Sequence, residues 1–482
     1  MDKELNKPSF KEEEPARPAA DDFDAFLPWA CTQLQVHATL DIVRVVQNEY
    51  VSMAYTDRSK AKSKISRHKI TPSKADVTSV LNKEDKSANT LAGWVVSEKI
   101  VRIITIYDSA DNLTQIKFDN NYHVPQVIVK LIGMIIQFQT NLTTFTINRG
   151  LTASIIYEMF KFLPNSHITD ICLDNTFLQQ ANYHILLDNQ SCLRHLSLSR
   201  CKIDDIVVDN IASRLRHPSP ASKTLSLLNL SSNKITDLGA KYIGEALRSN
   251  RQLCYLNLAS NSISDDGATF ILNSLTEFPM TYEEVIQTRT RHVTYLKEKN
   301  NLITKMMKEL KAGDIDRKPL KKKVPRPTSS ASGKKGKMDR EGSLKSIPDS
   351  KSLGNVEAIF YEKATNMAEA AIGEFTDPFC ATEINSKEGV AYSFGNNTLS
   401  YINLAYNNLS YFTLRKLLSV LLYQKCLNRK PRGIVNVCIE GNCLPHTCRE
   451  LKQLDEVLEM GLLASRRLSA VSKKRPQSRS GK

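Results

Sequence analysis

Apolar residues along the chain follow one frame, L-x-x-L-x-L-x-x-N-x-L, in which three apolar positions precede an asparagine and one further apolar residue. Its clearest copies are Leu225, Leu228, Leu230, Asn233, Ile235 and Leu253, Leu256, Leu258, Asn261, Ile263, which start 28 residues apart. Downstream copies are Leu399, Ile402, Leu404, Asn407, Leu409 and Ile434, Val437, Ile439, Asn442, Leu444. Upstream copies are Leu193, Leu196, Leu198, Cys201, Ile203 and Ile168, Ile171, Leu173, Thr176, Leu178. Two weaker ones begin at Leu142, with Gly150 at the asparagine position, and at Leu113, with Asn121 there. Side chains alternate across a strand, so each Leu-x-Leu predicts a short strand with one face in the core. The asparagine amide is suited to satisfy backbone groups where the chain leaves that strand.

Between strands the spacing changes to three and four, the helical period. Leu238, Tyr242, Ile243, Ala246 and Leu247 predict a helix over Asp237–Ser249, and Ala268, Ile271, Leu272 and Leu275 another over Asp265–Leu275. Thr236 and Ser264 precede them as N-cap residues. The frame is the leucine-rich repeat signature. From Leu113 to Leu253 its copies start 29, 26, 25, 32 and 28 residues apart, which leaves room for a full helix in each repeat. The expected fold is therefore an α/β leucine-rich repeat solenoid, resembling the ribonuclease-inhibitor-like horseshoe with a strand-lined concave face and a helix-lined convex one.

The frame lapses between Leu253 and Leu399. Ile286, Arg289, Val293, Leu296, Asn300, Ile303, Met307 and Leu310 predict a long helix over 281–312, read either as a surface helix on the side of the solenoid or as a coiled-coil contact. Residues 313–352 hold Lys321-Lys322-Lys323, Pro325, Pro327 and Lys334-Lys335 with few large apolar residues, the composition of a disordered basic linker. A short helix is expected over 353–375, then a re-entry segment and the last repeats over 376–460. Repeats fill 111–280; residues 23–110 form an N-terminal region suited to cap the first repeat, 1–22 an acidic disordered leader, and 461–482 a basic tail.

The net charge of +15 on 482 residues is not spread evenly. Residues 57–74, 314–350 and 466–482 carry +6, +6 and +7, so the remainder is slightly acidic. Those segments suit acidic surfaces, and no nucleic-acid motif accompanies them. Arg466-Arg467-Leu468-Ser469 looks like a basic-directed kinase site and Lys473-Lys474-Arg475 like a nuclear signal. The leader lacks the apolar run of a secretory signal and the apolar stretch Val124–Phe138 is too short for a bilayer, so a cytoplasmic chain without membrane segments is expected. In that compartment the sequons at Asn112, Asn141, Asn189, Asn229, Asn396 and Asn408 are chance matches.

The ten cysteines are scattered without a Cys-x-x-Cys pair and read as reduced core residues. Cys443, His446 and Cys448 fall one ligand short of a structural zinc site, so no metal or other cofactor is expected. His167, His184 and His195 have no nucleophile in a known arrangement, and no phosphate-binding, zinc-protease or nucleophile-elbow motif is present. The chain is expected not to be an enzyme and to take no small-molecule substrate. Its candidate partner-binding residues are those alternating with the core positions of the later strands: Asn229, Tyr255, Asn257, Tyr401 and Asn403, with Tyr406 at a strand exit. Tyrosine and asparagine suit protein recognition. Asn233, Asn261, Asn407 and Asn442 form the predicted structural ladder.

The pair LLNLSSNKITDLGAKYIGEAL and YLNLASNSISDDGATFILNSL, followed by TEFPMTYEEVIQTRTR, a Lys-rich linker and late repeats at Leu399 and Ile434, resembles the leucine-rich repeat-containing protein 71 family over roughly residues 110–445. The resemblance implies a non-enzymatic scaffold of the motile ciliary or sperm axoneme, with axonemal proteins or tubulin as partners. The other reading is a GTPase-activating or regulatory adaptor in the cytosol, because ribonuclease-inhibitor-like repeats also occur in activators of small GTPases.

Overall fold

The computed structural model describes residues 17–46, 100–315, 350–427, 429–445 and 447–472. The basic run 57–74, residues 316–349 of the linker, the nuclear-signal-like Lys473-Lys474-Arg475 and His446 lie outside them. The chain divides into two compact units, Met1–Phe278 with Phe394–Lys482, and Pro279–Ser393.

The first unit is built on ten strands: β1 (Thr39–Val46), β2 (Ile100–Tyr107), β3 (Leu113–Phe118), β4 (Thr144–Ile147), β5 (Asp170–Cys172), β6 (His195–Ser197), β7 (Leu227–Asn229), β8 (Tyr255–Asn257), then, past the second unit's β9 (Phe278–Pro279), β10 (Ile384–Lys387) and β11 (Val390–Ser393), β12 (Tyr401–Asn403) and β13 (Asn436–Cys438). In the sheet β8 lies directly beside β12, so the repeats resume after the second unit, Pro279–Ser393, as if nothing had been inserted. All eight copies of the frame form strands. Their middle apolar residues stand in one row, Ile116, Phe145, Ile171, Leu196, Leu228, Leu256, Ile402 and Val437, each paired with the next. The first seven are 0% exposed. Burying a side chain of that size stabilises by about 1.5–3 kcal/mol, so the row alone fixes the register of the stack.

Within the ten-stranded sheet every pairing is parallel except β2 with β3, which the short turn Asp108–Asn112 joins as a hairpin. Asp108 Oδ1 accepts from the amides of Ala110 and Asn112, which closes that turn. Helix α1 (Phe23–Gln33) buries Phe23, Phe26 and Leu27 against the first repeats. The sheet thus extends two strands beyond the first copy of the frame, within the region expected to cap it.

Helices follow the strands: α2 (Gln126–Ile135), α3 (Ala153–Phe162), α4 (Asp205–Leu215), α5 (Ala221–Thr224), α6 (Asp237–Ser249) and α7 (Asp265–Asn273). Thr236 and Ser264 cap α6 and α7 with their hydroxyls. In the second unit lie α8 (Tyr282–Ile315) and α9 (Ser350–Ile372); α10 (Tyr411–Leu427) and α11 (Arg449–Ser472) complete the first. Helix α11 packs on α10 and runs twelve residues into the stretch read as a basic tail, so the kinase-site-like residues 466–469 fall inside it.

The second unit holds a helix pair and a three-stranded sheet ordered β10, β11, β9. Helix α8 packs on α9 antiparallel: Arg291 meets Asp377 just beyond α9, Tyr295 the carbonyl of Gly373, Lys299 Glu369 and Lys311 Glu357. As one number rises the other falls by the same amount. This corrects the N-terminal part of the expected seam. Ile303, Met307 and Leu310 do pack at the contact, beside Leu302 and Met306, whereas Ile286, Val293 and Leu296 are 41%, 49% and 42% exposed, and in that stretch Arg291, Tyr295 and Lys299 face the partner helix instead. The partner of α8 is the chain's own second helix, and long charged stems cover much of the contact.

Candidate partner-binding face

Two hydrogen-bond ladders hold the repeats in register and so place the strand face. In the first, Asn233 Oδ1 accepts from the amides of Cys201 and Ile203 at 2.9 and 3.1 Å, while its Nδ2 donates to the carbonyls of Leu198 and Leu230, both at 2.9 Å. Asn261 repeats the pattern with Ile235, Leu230 and Leu258. Asn407 joins Ile263, Leu258 and Leu404, and Asn442 joins Asn407, Leu409, Leu404 and Ile439. Each amide satisfies orphan backbone groups of its own repeat and the one before. Where the asparagine is missing, Thr176 Oγ1 donates to the Leu173 carbonyl at 2.5 Å and Cys201 Sγ to the same carbonyl at 3.1 Å. The residue before the ladder position is left-handed at Asn175, Arg200, Ser232, Ser260 and Gly441, and at Tyr406.

The second ladder was not read from the sequence. Asp205 Oδ1 accepts from the amides of Thr236 and Gly239 at 2.8 and 3.0 Å, which caps the next helix, α6. Asp237 does the same for Ser264 and Gly267 at the start of α7. Asp265 does it for Ser410 and Thr413 at the start of α10, on the far side of the second unit in sequence. Burial opposes ionisation of Asp265, yet the hydroxyls and amides of Ser410 and Thr413 hold its carboxyl below the usual range. The signal available was the recurring hydroxyl or acid followed by aspartate, Asp204-Asp205, Thr236-Asp237 and Ser264-Asp265.

The face of β7, β8, β12 and β13 turned away from the core presents two parallel columns. One holds Leu227, Tyr255, Tyr401 and Asn436; the other holds Asn229, Asn257, Asn403 and Cys438. Tyr255 and Tyr401 stack with ring centroids 4.1 Å apart and planes 4° from parallel, as neighbouring strands demand of two rings standing on one face. The Tyr401 hydroxyl lies 3.2 Å from Cys438 Sγ, and burial, with that contact, raises its pKa far above the ordinary value. Asn229, Asn257 and Asn403 each accept from the backbone amide two residues on, at 3.2, 3.1 and 3.0 Å, so their carboxamides are fixed. The structure thus brings five of the six candidate residues together. Tyr406 stands apart from these columns: it sits in the turn after β12 with φ 55°, is 64% exposed, and its ring leaves no room for a side chain at Gly441. Leu227, Asn436 and Cys438 belong to the face and were missed, because only tyrosine and asparagine were sought.

Toward β5 and β6 the same face turns polar. His195 Nδ1 lies 3.0 Å from Asp170 Oδ1, and Ser197 Oγ donates to Asp174 at 2.6 Å, so the serine is tied to a carboxylate and not to the imidazole. Burial pushes the Cys172 thiol up to about 11, the wrong direction for a nucleophile. His184 is held below its usual pKa by burial and by Arg214. His167 is exposed. All ten cysteines are free, and among the described residues no group of three metal-ligating side chains gathers. Asn396 is 0% exposed, its amide donating to the Leu247 and Asn250 carbonyls, so that sequon is a buried structural residue. Among the described residues no helix is long and apolar enough to cross a membrane.

A leucine rich repeat family model matches residues 189–206, 221–244 and 249–272. The chain is a leucine-rich repeat protein, a class of module that is typically non-enzymatic and binds other proteins. No curated protein matches it.

Proposed function

We propose that this chain is a non-enzymatic scaffold of the ribonuclease-inhibitor-like type, whose concave strand face on β7, β8, β12 and β13 holds a protein partner in the cytoplasm, on the axoneme of motile cilia or sperm. The observation that carries the reading is the Tyr255–Tyr401 stack beside the fixed amides of Asn257 and Asn403. Paired rings supply contact area whose conformational entropy is already spent, and the amides supply adaptable hydrogen bonds. The axonemal placement, with tubulin or an axonemal protein as partner, draws on the order of repeats, long helix, basic linker and late repeats. The basic segments 57–74, 314–350 and 466–482 would add affinity for acidic surfaces.

The test is to express the tagged full-length chain in a multiciliated cell and extract the ciliary membrane with detergent. Retention along the axoneme that falls at least severalfold in the Tyr255→Ala/Tyr401→Ala variant is the expected result. A signal that washes out would leave a soluble adaptor, and stimulation of GTP hydrolysis by purified protein across a panel of small GTPases would then favour the regulatory reading.

A further inference from the structure

The strand face is one-sided in its hydrogen-bonding capacity. Asn257 Oδ1 is occupied by the Ala259 amide and Asn403 Oδ1 by the Ala405 amide, which fixes each carboxamide with its nitrogen turned outward. Among the described residues neither Nδ2 has a hydrogen-bond partner, in contrast to Asn229, whose Nδ2 donates to Ser197 Oγ at 2.9 Å. Flipping either amide is excluded, because a backbone N–H would then face an NH2 group. Paired strands lie about 4.8 Å apart, so these are two donors at one-strand spacing beside two stacked tyrosines.

The same strands carry no charge: β7 is Leu-Leu-Asn, β8 Tyr-Leu-Asn, β12 Tyr-Ile-Asn and β13 Asn-Val-Cys. A carboxylate brought onto them would be desolvated without a countercharge. Each asparagine oxygen already accepts one backbone N–H, so the face offers an ordinary extended peptide more donors for its carbonyls than acceptors for its N–H groups. The complementary ligand has neutral acceptors, few donors and apolar rings.

Resting on the strand-face reading, the geometry points to a proline-rich, polyproline-II segment of a partner protein as the ligand of β8 and β12. Such a segment makes no internal hydrogen bonds and lacks N–H groups at its prolines, so its carbonyls are free to accept from Asn257 and Asn403 while its rings pack on the edges of Tyr255 and Tyr401. Stiffness in the bound conformation lowers the ordering cost.

The test measures anisotropy of fluorescein-labelled decaproline on the full-length protein, with a Gly-Ser peptide of equal length and oligoglutamate as controls. The discriminating variant is Asn257→Asp/Asn403→Asp, which keeps the oxygen that accepts from the backbone and replaces the outward donors by acceptors. Its thermal melt reports whether the fold is kept, and Asn257→Ala/Asn403→Ala, read the same way, stands in if it is not. Decaproline is expected to bind at least tenfold more tightly than the Gly-Ser peptide, and the double variant to lose about tenfold or more of that affinity, the scale of two hydrogen bonds. Oligoglutamate, which reports the basic segments, is expected to be indifferent to the variant. Absence of decaproline binding, or binding that the variant leaves unchanged, overturns the inference. If decaproline fails while Tyr255→Ala/Tyr401→Ala still releases the chain from axonemes, the scaffold reading survives and the proline-rich ligand does not.

Discussion

The repeat unit and the helix pair of the second unit solve the same problem by different means. In the repeats, a row of apolar side chains is removed from water and two ladders of amides and carboxylates hold the backbone. Among the described residues the helix pair buries Ile303, Ala364 and Ala368, with Leu302, Met306, Met307 and Leu310 packed against them, and sets its register with Arg291–Asp377, Lys299–Glu369 and Lys311–Glu357. Stacked repeats share each buried surface with two neighbours, so a short motif suffices. A helix pair has one seam, and here that seam joins a short apolar stretch, Leu302 to Leu310 against Ala364 and Ala368, to ion pairs on either side of it. The difference teaches that apolar periodicity marks the repeat strands well and the helix only in part: Ile303, Met307 and Leu310 meet the partner helix, while Ile286, Val293 and Leu296 stay exposed.

Breaking the row should have the largest effect. Leu256→Ala, at the joint between β8 and β12, is expected to destabilise the repeat unit by about 2–5 kcal/mol, read from denaturant unfolding, and an unchanged midpoint would contradict the packing. In the helix pair, Arg291→Ala leaves the Asp377 carboxylate, whose side chain is 0% exposed, without its guanidinium. A loss of about 3 kcal/mol is expected, seen as faster amide hydrogen exchange in 282–312 and 357–372 with the repeats unaffected. Exchange spreading equally through β7 and β8 would show the two units to be one cooperative body.

The smallest effect sharpens the comparison through pH. The folded-state pKa of Asp265 is lowered, so its stabilisation is present above the unfolded value of about 3.9 and is lost as pH falls through the folded value. Asp265→Asn is expected to cost about 1 kcal/mol at neutral pH and to converge with the wild type in strong acid. A difference that persists undiminished below both pKa values would place the effect in packing instead of charge.

Much of the repeat unit was legible because its chemistry is periodic. An alternating Leu-x-Leu can bury one face only as a strand, and Asn233, Asn261, Asn407 and Asn442 stand where a strand must end. The candidate face was legible in part, since strand alternation alone sends Asn229, Tyr255, Asn257, Tyr401 and Asn403 outward. The direction of Tyr406, at the strand exit, was not legible because a left-handed backbone at a turn leaves no trace in the hydrophobic pattern.

By itself the sequence determined the eight strands, the residues facing the core, and the place where the array is interrupted, for these follow from local period and composition. Tertiary structure alone decided that β8 meets β12, that Asp265 caps a helix about 145 positions away, that α8 meets α9 through ion pairs as well as apolar side chains, and that the amide nitrogens of two asparagines are left facing outward. The physical reason is that these depend on which distant groups finally stand within hydrogen-bond reach of one another, and no spacing along a single chain encodes that distance.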